Sequence, residues 1–296
     1  MAQEIDLSPP LTIVKRYTDR DILMTISDLE VVTIPQITEL HFSSQAVARR
    51  RLQRLSERKL IIKHSGLLSG SRGRPEMLIT LGKNAPQIIG KEKQHSARVP
   101  ECVVHHLQQN WVRIALMKLS AQWPRLILQY HTPSREKQPT TKTSANAFRK
   151  FEHDFVPDGV AGITDQRSGK SLLFFIEADQ ATEPAASHAP SSLAKKIQNY
   201  RSYRITQTYK MYEKVFSKHF EGFRLLFITT SDQSLQRISR LTASMAPCDF
   251  VWITTDGQIR ERGIGEPIWV QGGQLNRERR SILGSIYYEN ESEQGN

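Results

Sequence analysis

The sequence predicts an α+β protein in two parts, and three observations carry that expectation. Near the start, apolar residues recur three times at helical spacing, and two short β-rich runs follow. From about residue 100, helical and strand-like patterns alternate in the order αβββαβαβ, which calls for a mixed sheet with helices on its faces. Positive charge concentrates in the first part: Ser43 to Arg74 holds nine cations against one acid, or +8 of the chain's formal +11.

Element by element, residues 1–14 carry Pro9 and Pro10 and read as a flexible arm. A first helix starts at Asp19, a residue able to cap it, with Ile22, Leu23, Ile26 and Leu29 on one face. Thr33 caps a second helix with Pro35 in its first turn and Ile34, Ile37 and Leu40 inward. Ser43 or Ser44 caps a third, which turns Ala48, Leu52 and Leu55 inward. Strands at 60–64 and 77–81 flank a Gly/Ser-rich loop over 65–75. Three helices and a hairpin in this order make a winged helix-turn-helix, assigned to residues 15–95, and the polar, basic stretch 82–100 reads as a linker.

The second part is assigned to residues 100–280. A helix runs from Cys102 to Trp123 and stops at Pro124, followed by a strand at 126–130 and a mobile loop at 132–146. Strands at 155–164 and 172–178, a long helix at 192–216, a strand at 223–229, a helix at 231–245 and a strand at 250–254 complete the pattern. Residues 281–296 read as a tail with a disordered acidic end.

Composition bounds the function. A pI near 9.7 favours a polyanionic partner, a nucleic acid or an acidic membrane surface. The longest strongly apolar run, Leu172 to Ile176, is far too short to span a bilayer, and Met1 to Asp6 lacks the basic start of a secretory leader. Cys102 and Cys248 lie too far apart in sequence for a cysteine zinc motif. A cytoplasmic protein is expected.

The charge pattern separates nucleic acid from membrane. A recognition helix in a major groove needs small polar residues at its start and cations for phosphates. Ser44, Gln45 and Arg49 stand at the start of the third helix, with Arg50, Arg51, Arg54 and Arg58 behind them. Arg72 and Arg74 flank Gly73 in the predicted wing, a spacing suited to a narrow minor groove. Double-stranded DNA is the expected partner.

The second part holds three acids, Asp158, Glu177 and Asp179, on two strands joined around 165–170. A two-residue loop at Ser168-Gly169 sets Asp158 opposite Asp179. A four-residue loop centred between Arg167 and Ser168 sets it opposite Glu177. Either puts all three on one sheet face, because side chains alternate with period two. Such a cluster repels itself unless it shares a cation, and its oxygens suit Mg²⁺ or Mn²⁺.

Pro157-Asp158, Glu177-Ala178-Asp179 and the αβββαβ order resemble the PD-(D/E)XK nuclease superfamily. Its usual final lysine is Asp179 here. The resemblance implies a lysine from the next helix, Lys195 or Lys196, with Lys196 one turn before Tyr200. The whole layout looks more specifically like the replication-relaxation family of bacterial plasmids and mobile elements. That likeness rests on Asp21-Ile-Leu, Leu52-Gln-Arg-Leu55, the glycine-rich wing, His105-His106, Pro157-Asp158, Glu177-Ala-Asp179, and Lys196 with Tyr200. It implies a DNA-binding accessory protein serving replication, maintenance or transfer, able to dimerise or to meet other proteins of the element. The alternatives are an Mg²⁺-dependent endonuclease, with Asp158 and Glu177 holding metal beside Asp179 and Lys196, and a transcription regulator.

Overall fold

The computed structural model describes residues 18–65, 76–90, 99–100, 102–133, 156–179 and 190–287. It divides into two compact units, Ile13–Ile114 and Ala115–Asn296. The flexible arm, most of the predicted wing (with Arg72 and Arg74), most of the 132–146 loop and the acidic end lie outside the described residues.

The first unit is built on α1 (Asp19–Leu29), α2 (Ile34–His41) and α3 (Gln45–Glu57). Thr18, one residue before the expected cap, starts α1 through a capping box with Asp21. Thr33 caps α2 as expected, and Ser44 caps α3 by accepting the Val47 N–H at 3.4 Å. The inward faces are the predicted ones: Ile22, Leu23, Ile26, Leu29, Ile37 and Leu52 are all fully buried. Each such side chain contributes roughly 1.5–3 kcal/mol through burial.

β2 (Ile61–His64) and β3 (Leu78–Leu81) pair antiparallel, with Ile61 opposite Leu81. A third strand, β1 (Val32–Thr33), joins β3 on its other side, giving the order β1-β3-β2. Two residues carry no readable periodicity, so β1 was not predictable. The stretch read as a linker contains α4 (Ala85–Ile89), closed by Gly90 in the left-handed conformation, with Ala85 and Ile89 buried.

The division between units falls inside α5 (Val103–Gln122), not at the stretch read as a linker. The end of α1 explains why the first half of α5 belongs with the first unit. Helix α1 has no basic residue in its last turn, and its final carbonyls need donors. His106 Nε2 meets Leu29 O at 2.8 Å, Asn110 Nδ2 donates to Leu29 O at 3.0 Å and Val31 O at 2.7 Å, and Arg113 donates to Asp28 O at 2.7 Å.

The second unit is a six-stranded sheet in the order β4-β5-β6-β7-β8-β9. The strands are β4 (Leu126–His131), β5 (Gly159–Asp165), β6 (Ser171–Asp179), β7 (Phe223–Thr229), β8 (Val251–Thr255) and β9 (Val270–Gln271). The first three pair antiparallel, while β6, β7 and β8 run parallel. Parallel neighbours require crossovers. Helices α6 (Pro190–Ile205) and α7 (Met211–Phe216) supply the first, and α8 (Asp232–Ser244), capped by Ser231, the second.

One sheet face carries Val160, Phe175, Leu225, Phe227 and Ile253 against Ile197 and Tyr200 of α6 and Leu235 and Ile238 of α8. Residues of the other parity, Ile163, Phe174, Ile176 and Ile228, are buried too, so both faces are covered.

Several expectations need correction. The long helix at 192–216 is two helices, interrupted at Gln207, whose φ is 55°, and by a 3₁₀ turn at Thr208–Lys210. The break seats Tyr209 and Tyr212 in the core, which a straight helix would carry past it. The strand expected from Phe155 begins at Gly159. Helix α9 (Asp256–Arg262) and edge strand β9 extend the predicted order. Residues 281–287, read as the start of a tail, are packed: Ile282, Leu283 and Ile286 are at most 2% exposed. No helix among the described residues is long and apolar enough to cross a membrane.

Candidate nucleic-acid interface and acidic site

The two groups of residues singled out by the sequence lie in different units and are built separately. In the first unit, α3 exposes Gln45, Arg49, Arg50, Gln53, Arg54 and Arg58, because Ala48, Leu52 and Leu55 take the inward positions. The arginines are not equivalent. Arg51 pairs with Asp19 Oδ1 at 2.8 Å, and Arg58 pairs with Asp19 Oδ2 at 2.7 Å. Arg49 donates to Gln45 one turn back at 2.8 Å. Arg50 and Arg54 are exposed and, among the described residues, bind no acid. Asp19, read from the sequence only as a cap, is thus the residue that holds two of the five arginines; nothing local in the sequence signals this.

Ser44 uses its hydroxyl oxygen to cap α3, which leaves its O–H to donate outward. Lys63 of β2 reaches Gln53 of α3 at 2.6 Å, fixing strand and helix together. The helix N-terminus adds partial positive charge, and no acid stands in its first turn. This surface can attract anions.

In the second unit, the β5–β6 loop has four residues. Asp165 N–H donates to Lys170 O at 2.9 Å, and the Asp165 carboxylate accepts from Ser168 N–H at 3.1 Å and Ser168 O–H at 2.6 Å. The second of the two register alternatives therefore applies. Gly159 stands opposite Ile176, and one step further Asp158 lies beside Glu177, where its Oδ2 accepts the Ala178 N–H at 2.8 Å. A Cβ at residue 159 would run into the hydroxyl end of the Tyr130 ring, which would have to shift, so glycine suits the position directly after Asp158.

Glu177 is 1% exposed. One of its oxygens accepts from Lys196 Nζ and the other from Tyr200 O–H at 2.5 Å, both from α6. Of the two lysines singled out on this helix, Lys196 is the one that meets Glu177. Burial pushes the Glu177 carboxyl up to about 7, with Lys196 and Tyr200 pulling against that rise. For Lys196, burial pulls down, but Glu177, Asp158 and Asp179 together outweigh it and raise the ammonium. Asp179 faces another helix: Arg237 of α8 donates to its Oδ2 at 3.1 Å.

The acids share one sheet face, but each meets a different partner. Among the described residues, no three His, Cys, Asp or Glu side chains are placed to hold one metal ion. Glu177 and Asp179 are met instead by Lys196 and Arg237. Arg237 was missed at the sequence level; it lies 58 residues from Asp179. His106, a motif residue, serves the end of α1, and His105 contacts Gln109 at 2.9 Å.

The replication-relaxation family model matches residues 23–218, about two thirds of the sequence. The chain belongs to the replication-relaxation family. The match runs from α1 through α7 and so takes in both α3 and the Glu177–Lys196 pair. No curated relative matches the chain. Among solved structures, the chain is similar to SdaI restriction endonuclease at 10% identity, covering 86% of this chain and 94% of that one, with a TM-score of 0.26. Restriction endonuclease FokI bound to DNA is similar at 10% identity, covering 80% of this chain and 43% of that one, with a TM-score of 0.28. Likenesses this slight place no residue.

Proposed function

We propose that this replication-relaxation protein is a double-stranded DNA-binding accessory factor of a plasmid or mobile element, acting in its replication, maintenance or transfer. The first unit is read as a winged helix-turn-helix, with α3 as recognition helix and β2, β3 and the loop between them as wing. One observation carries the reading. On α3, Arg50 and Arg54 are exposed and, among the described residues, bind no acid, while Asp19 holds Arg51 and Arg58. Phosphates would neutralise these two cations with release of counterions. In this reading Ser44, Gln45 and Arg49, at the start of α3, would face base edges, and Arg72 and Arg74, outside the described residues, keep the wing contact expected from the sequence.

The test is a duplex titration across salt concentrations with the full chain and an Arg50→Ala/Arg54→Ala variant. Loss of two phosphate contacts lowers the log–log salt slope by about 1.8. An unchanged slope rejects α3 as the DNA face.

The second unit is read as a degenerate nuclease-like domain, serving affinity, self-association or a partner surface. One observation favours the competing reading, an Mg²⁺-dependent endonuclease. Lys196 reaches Glu177 from α6, the relation implied by the nuclease resemblance. Supercoiled plasmid with Mg²⁺ or Mn²⁺, beside an Asp158→Ala/Glu177→Ala variant, decides between them. Metal-dependent nicking that the variant loses establishes the enzyme.

A further inference from the structure

Away from both sites, the second unit contains a cavity of about 820 Å³ whose wall includes five arginines: Arg204, Arg224, Arg277, Arg279 and Arg280. Among the described residues, two acids, Asp249 and Glu278, line it with them. Its volume is that of a small-molecule site, but its wall is cationic where such sites are mostly apolar.

The arginines divide into two sets. Two are braced. Arg204 grips Asp249 through two nitrogens at 2.8 and 3.4 Å and lies over the Phe250 ring at 5.6 Å. Arg224 lies over Trp252 at 4.8 Å and donates to Ile282 O; burial lowers its pKa. Gly284 makes room for it, since a Cβ there would come within 3.3 Å of the guanidinium. The other three line a return segment fixed by its backbone, where Trp269 and Arg280 exchange two hydrogen bonds at 3.1 and 3.0 Å. Their partners among the described residues are neutral: Arg280 donates to Gln271 at 2.9 Å and Arg279 reaches Ile268 O at 3.5 Å. Arg277 is exposed and, among the described residues, its side chain has no partner.

Five guanidinium groups around one concavity repel each other, and low-dielectric walls focus their field. The lining rings Phe223, Phe250 and Trp252 are at most 7% exposed, so none of them is free to stack a base. What the wall offers is planar, bidentate donors, the match for a phosphate oxyanion.

We propose that this cleft is a phosphate-binding site of the second unit, separate from α3 and independent of the reading of α3 as a DNA face. The shared chemistry is the phosphate group, supplied by a nucleic-acid backbone or by a free polyphosphate.

The test uses the full chain and an Arg277→Gln/Arg280→Gln variant, which alters two exposed side chains, with an Arg277→Lys/Arg280→Lys variant and thermal melts as folding controls. Calorimetric titration with inorganic tripolyphosphate is expected to show binding that weakens at least tenfold in the glutamine variant and by less in the lysine variant, which keeps the charge but loses the bidentate donors. Equal binding by parent and glutamine variant, or no binding by either, overturns the proposal. With tripolyphosphate binding weakened as expected, a salt slope on duplex or single-stranded DNA lower by about 1.8 identifies the backbone as the source. An unchanged slope identifies free polyphosphate. Failure of the α3 reading shows separately, because Arg50→Ala/Arg54→Ala leaves tripolyphosphate binding unaltered.

Discussion

Lys196 on α6 donates to the buried carboxylate of Glu177 on β6, and Tyr200, one turn along the same helix, donates to the other oxygen. Sheet and helix are thus joined through one acid in the core. A carboxyl group so enclosed resists ionisation despite its donors.

The consequence for pH follows from the sign of the shift. Folding raises the Glu177 carboxyl from 4.5 to about 7. Its stabilisation is therefore complete below pH 4.5 and is lost as pH rises through 7, by up to about 3 kcal/mol. Glu177→Gln keeps an acceptor for Tyr200 and removes the titration. Denaturant unfolding between pH 4.5 and 8 is expected to show the parent losing stability relative to this variant; parallel curves would exclude the effect.

Asp19 restrains two arginines of α3. Asp19→Asn is expected to free Arg51 and Arg58 and to steepen the salt dependence of duplex binding by as much as about 1.8. Surface ion pairs of this kind contribute little to folding, so the melting temperature changes slightly. A shallower slope contradicts the restraint.

Asn110 is 1% exposed and donates to two carbonyls at the end of α1. Asn110→Ala leaves both short of a donor where water has little access. A loss of about 2 kcal/mol is expected, read as a lower denaturant midpoint with an unchanged m-value. A loss below 0.5 kcal/mol, the range of ordinary surface changes, would mean that the bonds are replaced by solvent.

Gly159 lies under the Tyr130 ring. Gly159→Ala forces ring and strand apart beside Asp158, at an expected cost of about 1–3 kcal/mol. A Gly159→Ala/Tyr130→Ala double variant should recover part of it, because the obstructing ring is gone. Strict additivity in a double-mutant cycle counts against the contact.

Local chemistry made much of this legible in the sequence. Thr33 and Ser44 announce their helices because a hydroxyl bonds an N–H three residues on, an interaction complete within one turn. Period two put Asp158 and Glu177 on one face, once the loop length was known to be even. The same local reading failed where the deciding partner was distant. Gln207 carries no breaker signal, and the interruption there follows from seating Tyr209 and Tyr212 in the core. Strands β1 and β9 have two residues each and exist because a longer neighbour offers its edge.

The sequence by itself determined the two-part α+β layout, the basic character of α3 and the acids on β5 and β6, since these depend on spacing and charge along the chain. Only the tertiary structure decided which charges are spent. Asp19 takes Arg51 and Arg58, Arg237 takes Asp179, Lys196 takes Glu177, and five arginines gather around one cavity. Ion pairing depends on distance in space, and separations of 19 to 58 residues become direct contacts only when the packed elements bring them together.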